Sequence, residues 1–207
     1  MDDITLKERR KYETMWTLID DYRINSPADV LTPVFLSSFC DQIKKGETVL
    51  DFGCGPGRSV FPLLNFGLNV HLIDITEEAL DVEIFLKYMK SSICFTESCL
   101  WDLPSELKPA EWMLCLDVLE HIPEEKLETV LLGISSRMLK GGLFSISLIE
   151  DQFGQTIGDK LHLTIRSADW WKGKISQFFG LHTELWNNES LLVLLVTDLL
   201  SSLSKYK

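Results

Sequence analysis

The sequence predicts a three-layer, doubly wound α/β domain, and three observations lead there. Short apolar runs bounded by turn residues recur along the chain, with segments of helical character between them. That alternation calls for crossover units and a mainly parallel sheet covered on both faces. The final two runs are joined only by Asn187-Asn-Glu-Ser190. Four residues cannot carry a crossover, so these two strands must pair antiparallel.

Seven strands are expected, near 48–53, 69–75, 93–99, 111–117, 142–149, 181–187 and 191–198. Helices are expected near 58–66, 76–89, 124–139 and 167–179. Thr76-Glu-Glu and Pro123-Glu-Glu each place a cap or proline and then acids in a first turn, where the helix dipole favours negative charge. Lys140-Gly-Gly142 reads as a cation and glycines closing the helix before it.

Two segments fall outside this alternation. Residues 1–45 are amphipathic and read as a helical cap with a break at Asn25-Ser-Pro27, leaving 46–207 as the main domain. Residues 150–166 form a long connection holding Gly154, Gly158 and His162, of the kind that often builds a lid or binding loop. Both are expected over the carboxyl edge of the sheet, where open α/β folds bind ligands.

A chain of 207 residues with net charge -11 suits one domain with a sizeable core and argues against a broad phosphate-binding surface. Lys7, Arg9, Arg10 and Lys11 form a local basic cluster, which reads first as a solvated helix face. The longest apolar segment, Leu191 to Val196, is too short to span a bilayer, and the charged first residues do not resemble a signal peptide. The five cysteines form no C-x-x-C pair and no zinc site, so no metal is assigned. Reduced thiols and the absence of targeting signals predict a cytoplasmic protein.

The densest signal is Thr48-Val-Leu-Asp-Phe-Gly-Cys-Gly-Pro-Gly57: an apolar run, an acid, then glycines at alternate positions. It reads as a strand ending in a tight turn that opens a helix. Gly53, Gly55 and Gly57 let backbone approach a ligand closely. The dinucleotide fingerprint G-x-G-x-x-G has different spacing and a different place for its acid. Asp51 at the strand end suits an ammonium group, whereas a pyrophosphate would be repelled. Asp74 ends the second strand, with Ile75 beside it, and a carboxylate there can accept from both hydroxyls of a ribose. Asp74 also reads as a cap for the following helix.

These motifs resemble those of the class I, Rossmann-like S-adenosylmethionine (SAM)-dependent methyltransferases of the small-molecule type. The resemblance implies a strand order of 3-2-1-4-5-7-6 with an antiparallel last strand. It also implies SAM as cofactor and S-adenosylhomocysteine as product. Trp112-Met-Leu-Cys-Leu-Asp-Val-Leu-Glu-His-Ile-Pro123 is similar to the family's fourth motif and would put Leu116 and Asp117 beside the methionine part. The family usually has an acid after the third strand for the adenine amine. Here that register holds Cys99 and then Leu100, a departure that leaves Asp102, backbone groups or the face of Trp101 to take the acid's place. An amino-terminal Tyr or Arg often covers the cofactor in relatives, which nominates Tyr22 and Arg23. Arg23 either pairs with the methionine carboxylate or is held by Asp20 or Asp21.

His121 is the candidate base, since imidazole titrates near neutral pH; the alternative is that Glu120 and His121 order the loop. His162, with Arg166, Trp170 and Trp171, would line an acceptor pocket suited to a sugar or a flat polar molecule. The resulting expectation is methyl transfer to an O or N atom of a small-molecule or glycan-type acceptor. A catalytically silent fold relative that scaffolds a partner is the alternative that the Cys99 departure motivates. An NAD or nucleotide-sugar enzyme and a tRNA or other nucleic-acid methyltransferase rank lower, and oligomeric state is left open.

Overall fold

The computed structural model describes residues 3–198; residues 199–207, assigned above to the main domain, lie outside the described residues. Seven strands form one sheet: β1 (Thr48–Phe52), β2 (Asn69–Asp74), β3 (Cys94–Glu97), β4 (Ala110–Leu116), β5 (Met138–Ser147), β6 (Phe179–Asn187) and β7 (Leu191–Asp198). Their order is β3-β2-β1-β4-β5-β7-β6. The pairs β1–β2, β1–β4, β2–β3 and β4–β5 are parallel, while β7 runs antiparallel to both β5 and β6. The fold class, the strand order and the final hairpin all agree with expectation.

Period-two alternation sends neighbouring residues of each strand to opposite faces. Leu50, Met113, Cys115 and Phe144 face one buried cluster with Leu131, Ile134 and Trp171. Val49, Leu72, Trp112, Leu114 and Leu143 face the other with Phe35, Leu63 and Ile84. The first cluster is covered by α6 (Leu127–Ser135) and α8 (Ala168–Ile175), the second by α3 (Ala28–Ser38), α4 (Val60–Phe66) and α5 (Val82–Met89).

Three local expectations change. Within 76–89, a short turn over Glu77–Ala79 precedes α5, because the Asp81 N–H is drawn to the Pro56 carbonyl at 3.1 Å and breaks the helical ladder. Lys140, Gly141 and Gly142 lie inside β5, where the two glycines sit opposite Trp112 and Met113, and Lys140 pairs with Glu47. The helix before them ends at Ser135. The third change concerns α3, which is a layer of the core: its Phe35 and the following Phe39 pack on Trp112 with ring centroids 5.8 and 4.9 Å apart.

Before α3 come α1 (Asp3–Leu18) and α2 (Asp20–Ile24). The buried stripe of α1 is Thr5, Glu8, Lys11, Met15 and Trp16, mostly polar for an inward face. Its polar members are paired, within the helix or across the interface. Lys11 pairs with Glu8 and donates to the Lys160 carbonyl at 2.9 Å, and the Trp101 indole N–H donates to Thr5 at 3.0 Å. The 150–166 connection contains one short helix, α7 (Gly154–Ile157). Asp151 braces it by accepting from Gly154 at 2.6 Å and Leu161 at 3.1 Å, while Leu163 and Thr164 donate to the Glu120 carbonyl at 2.7 and 2.9 Å. No helix among the described residues is long and apolar enough to cross a membrane.

Candidate active site

At the carboxyl ends of β1, β2 and β4 the chain places three acids: Asp51, Asp74 and Asp117. Asp51 is buried and accepts from the Ser59 hydroxyl. Desolvation raises its carboxyl to about 7, partly offset by Ser59 and reinforced by the nearby Asp74. Asp74 accepts from the Gly55 and Ile75 N–H groups, each at 2.8 Å. Burial nevertheless holds it at about 6. Two acids kept this close to neutrality are poised for a donor that a ligand would bring.

Between them runs the glycine turn. Gly53 and Gly55 have φ of 71° and 51°, the left-handed region that side chains disfavour. A Cβ on Gly53 would lie 2.4 Å from Val118, and one on Gly55 would lie 3.3 Å from the Trp16 ring. Gly57 shares the positive φ but lines neither cavity; a Cβ there would strike Ile84, so its role is packing beneath the turn.

A narrow cavity of about 100 Å³ opens here, with Gly53, Gly55, Asp74, Ile75, Cys99, Leu100 and Asp117 in its wall. Glu8, Tyr12 and Trp16 of α1 close it from above. A second, wider cavity continues past Trp16, Tyr22 and Asp117 to Asp51, Leu116, Asn25, Ser147 and His162. The second, with a volume of about 330 Å³, falls in the range of small-molecule sites. Tyr22 stands where the two meet, stacked between Trp16 and Phe153 at 4.7 and 5.5 Å.

A model of a methyltransferase domain matches residues 49–142 of the chain. These residues match a methyltransferase domain, and they sit on a Rossmann-like fold. Curated relatives include a ubiquinone biosynthesis O-methyltransferase of Shewanella sp. (strain ANA-3). It is 28% identical over 148 residues, which are 69% of this chain and 60% of the relative. Its counterpart in Glaesserella parasuis serovar 5 (strain SH0165) is 26% identical, covering 72% of this chain and 66% of the relative. The methyltransferase domain therefore spans about two thirds or less of these relatives' lengths. Among solved structures, the 1,6-didemethyltoxoflavin-N1-methyltransferase of Burkholderia thailandensis, with its substrate and S-adenosylhomocysteine bound, superposes with a TM-score of 0.71. That match is 17% identical and covers 92% of this chain and 86% of the other. The N-methyltransferase NodS of Bradyrhizobium japonicum WM9 gives 0.66 at 13% identity, with coverages of 92% and 98%. At such identities the likeness concerns the fold.

Most of the nominated residues converge on the two cavities: Tyr22, Asp51, Gly53, Gly55, Asp74, Ile75, Cys99, Leu100, Leu116, Asp117, His121 and His162. Arg23 does not. Its guanidinium donates to the carbonyls of Trp16, Glu78 and Ala79, so it clamps α2 to the turn before α5. Arg166 pairs with Glu124 on the surface, and Trp171 is fully buried in the core beside Trp170. Neither tryptophan lines a cavity wall here, because α8 directs them at the sheet and its flank.

Asp117 has φ of 54°, an uncommon state for a non-glycine residue, and is held there by Ser145. Its N–H donates to Ser145, and the Ser145 hydroxyl returns a bond to its carboxylate at 2.6 Å. The next turn presents Glu120 and His121. The His121 Nδ1 lies 2.7 Å from the Tyr12 hydroxyl and 3.1 Å from the Leu161 carbonyl. Burial, with His162 as the next cause, lowers its pKa to about 3. An imidazole this reluctant to take a proton is a poor general base near neutrality, so the role expected from the ordinary histidine pKa is not supported. Sequence reasoning missed Glu8, Tyr12 and Asn25. Only the 3–4 spacing of the polar residues Glu8 and Tyr12 on α1 hinted at the first two.

Proposed function

We propose that the protein is a SAM-dependent methyltransferase acting on an O or N atom of a small-molecule or glycan-type acceptor. The observation that carries this reading is the pairing of two near-neutral acids with a Cβ-free turn in one continuous cavity. Asp51 fits an ammonium group, and Asp74 retains lone pairs for ribose hydroxyls beyond its bonds to the backbone of Gly55, Ile75 and Thr76. Gly53 and Gly55 line the cavity and present backbone to a ligand there. The residues present thus fit S-adenosylmethionine, which when bound supplies a methyl group already activated on a sulfonium.

The chain's own groups then bind and orient. Ile75, Leu100 and Trp101 offer apolar walls to a base at one end. With Cys99 where the family usually has an acid, Glu8 from α1 is the carboxylate lining that end. Asn25 and Ser26, rather than Arg23, line the end near Asp51 and are suited to a carboxylate. Tyr22 separates the two cavities, and the wider one, walled by Ser147, Asp151, Phe153 and His162, would take the acceptor. Catalysis in this scheme is chiefly orientation and exclusion of water. The O-methyltransferase name of the curated relatives and the N1-methyltransferase name of the structural neighbour both support a small acceptor. Calorimetry with S-adenosylhomocysteine tests the proposal: one micromolar site is expected, and the absence of any binding by either SAM or S-adenosylhomocysteine would sink it.

A further inference from the structure

At the acceptor end, three side chains meet from separate parts of the chain. Glu120 and His121 lie in the turn after β4, and His162 lies in the 150–166 connection. One ligating atom from each falls within 4.8 Å of the others. The two rings stand nearly perpendicular, at 85°, with centroids 4.7 Å apart.

The hydrogen bond at His162 selects one tautomer. His162 Nδ1 lies 2.6 Å from the Ile149 carbonyl, and His121 Nδ1 lies 3.1 Å from the Leu161 carbonyl. A carbonyl only accepts, so the His162 ring places its proton on Nδ1 and keeps a bare lone pair on Nε2. At His121 the Leu161 carbonyl favours the same tautomer, whereas the nearer Tyr12 hydroxyl, 2.7 Å from Nδ1, would donate to the other. The His162 arrangement is the one that orients metal-binding imidazoles, with the far N–H tied to a backbone carbonyl.

Glu120 supplies an independent sign. It is fully buried, and its Oε1 accepts from the Ser147 N–H at 2.7 Å. Its Oε2 is equally inaccessible and has no partner. A buried carboxylate oxygen without a donor is costly unless something positive reaches it.

We propose that Glu120, His121 and His162 form a binding site for a divalent transition-metal ion of the zinc type. Two imidazoles and a carboxylate are a donor set that such ions favour, and three protein ligands leave coordination positions open. Ligands at the usual ~2.1 Å from a shared ion lie no more than ~4.2 Å apart, so the site needs to close by roughly half an ångström. The open side faces the cavity lined by Asp117 and Ser147. There, resting on the methyl-transfer reading above, the ion would hold an acceptor hydroxyl, which favours an oxygen over a nitrogen acceptor.

The test is a Co2+ titration of the full chain, read by calorimetry and by the visible absorption of the bound ion. One equivalent is expected to bind, with binding lost in His162→Ala and at least about tenfold weaker in Glu120→Gln. The same preparations are titrated with S-adenosylhomocysteine, and retained affinity in His162→Ala shows that the fold is intact. A wild-type protein that binds no Co2+, or a His162→Ala protein that binds it equally well, overturns the site. Failure of S-adenosylhomocysteine to bind the wild type would strike the methyl-transfer reading instead and leave the Co2+ result to stand by itself.

Discussion

Asp74 accepts the Gly55 N–H at 2.8 Å, tying the acid that ends β2 to the turn that ends β1. The bond makes the cavity wall a single unit. Moving the turn disturbs the carboxylate, and altering the carboxylate loosens the turn. Asp74→Asn should weaken S-adenosylhomocysteine binding about 10- to 100-fold, the cost of removing a charged hydrogen-bond acceptor. Gly55→Val should abolish it, because the valine would be held at positive φ with its side chain against Trp16. Calorimetric titration of both variants checks the pair.

Cofactor affinity should depend on pH through Asp51. Its carboxyl sits at about 7 in the free protein, and an ammonium ligand requires the ionised form. Below that value, binding must release a proton, so affinity should fall about tenfold per pH unit on the acid side and level off above about 7. Asp74, at about 6, adds to the slope at lower pH. Titrations between pH 5.5 and 8 in wild type and Asp51→Asn, which should bind weakly and lose most of the slope, would show it.

Arg23→Ala separates a clamp from a ligand contact. Loss of the guanidinium bonds to Trp16, Glu78 and Ala79 should lower thermal stability by about 1–3 kcal/mol. Cofactor affinity should change less than about threefold, since no cavity wall includes Arg23. A large affinity loss with unchanged stability would restore it as a carboxylate ligand.

The buried Lys11–Glu8 pair should govern how firmly α1 covers the site. Lys11→Ala leaves a buried carboxylate unpaired and also removes the bond to the Lys160 carbonyl. Hydrogen exchange over 3–18 should then rise clearly above wild type while β1, β4 and β5 keep their protection. Saturating S-adenosylhomocysteine should restore part of the protection.

The sheet was legible because its signals are local. Apolar runs such as Trp112 to Leu116 need only a count of neighbours, and Asn187 to Ser190 are too few to allow any connection but a hairpin. Asp51, Asp74 and Asp117 were legible for the same reason, as acids at strand ends. What escaped depends on distant partners. The inward stripe of α1 includes Glu8 and Lys11, which read as solvated charges until each is matched by the other. Arg23 was placed on a carboxylate because sequence patterns do not show backbone carbonyls, and three of these take its donors. Trp170 and Trp171 look alike in sequence, yet α8 sends both away from the cavity. The meeting of Glu120 and His121 with His162 spans some forty residues with no recognisable spacing.

The most direct test of the central claim is calorimetric titration of the wild-type protein and Asp51→Ala with S-adenosylhomocysteine at pH 7.5. The account predicts one micromolar site in the wild type, weakened at least about tenfold in the variant. No binding by the wild type, or equal binding by Asp51→Ala, would contradict it.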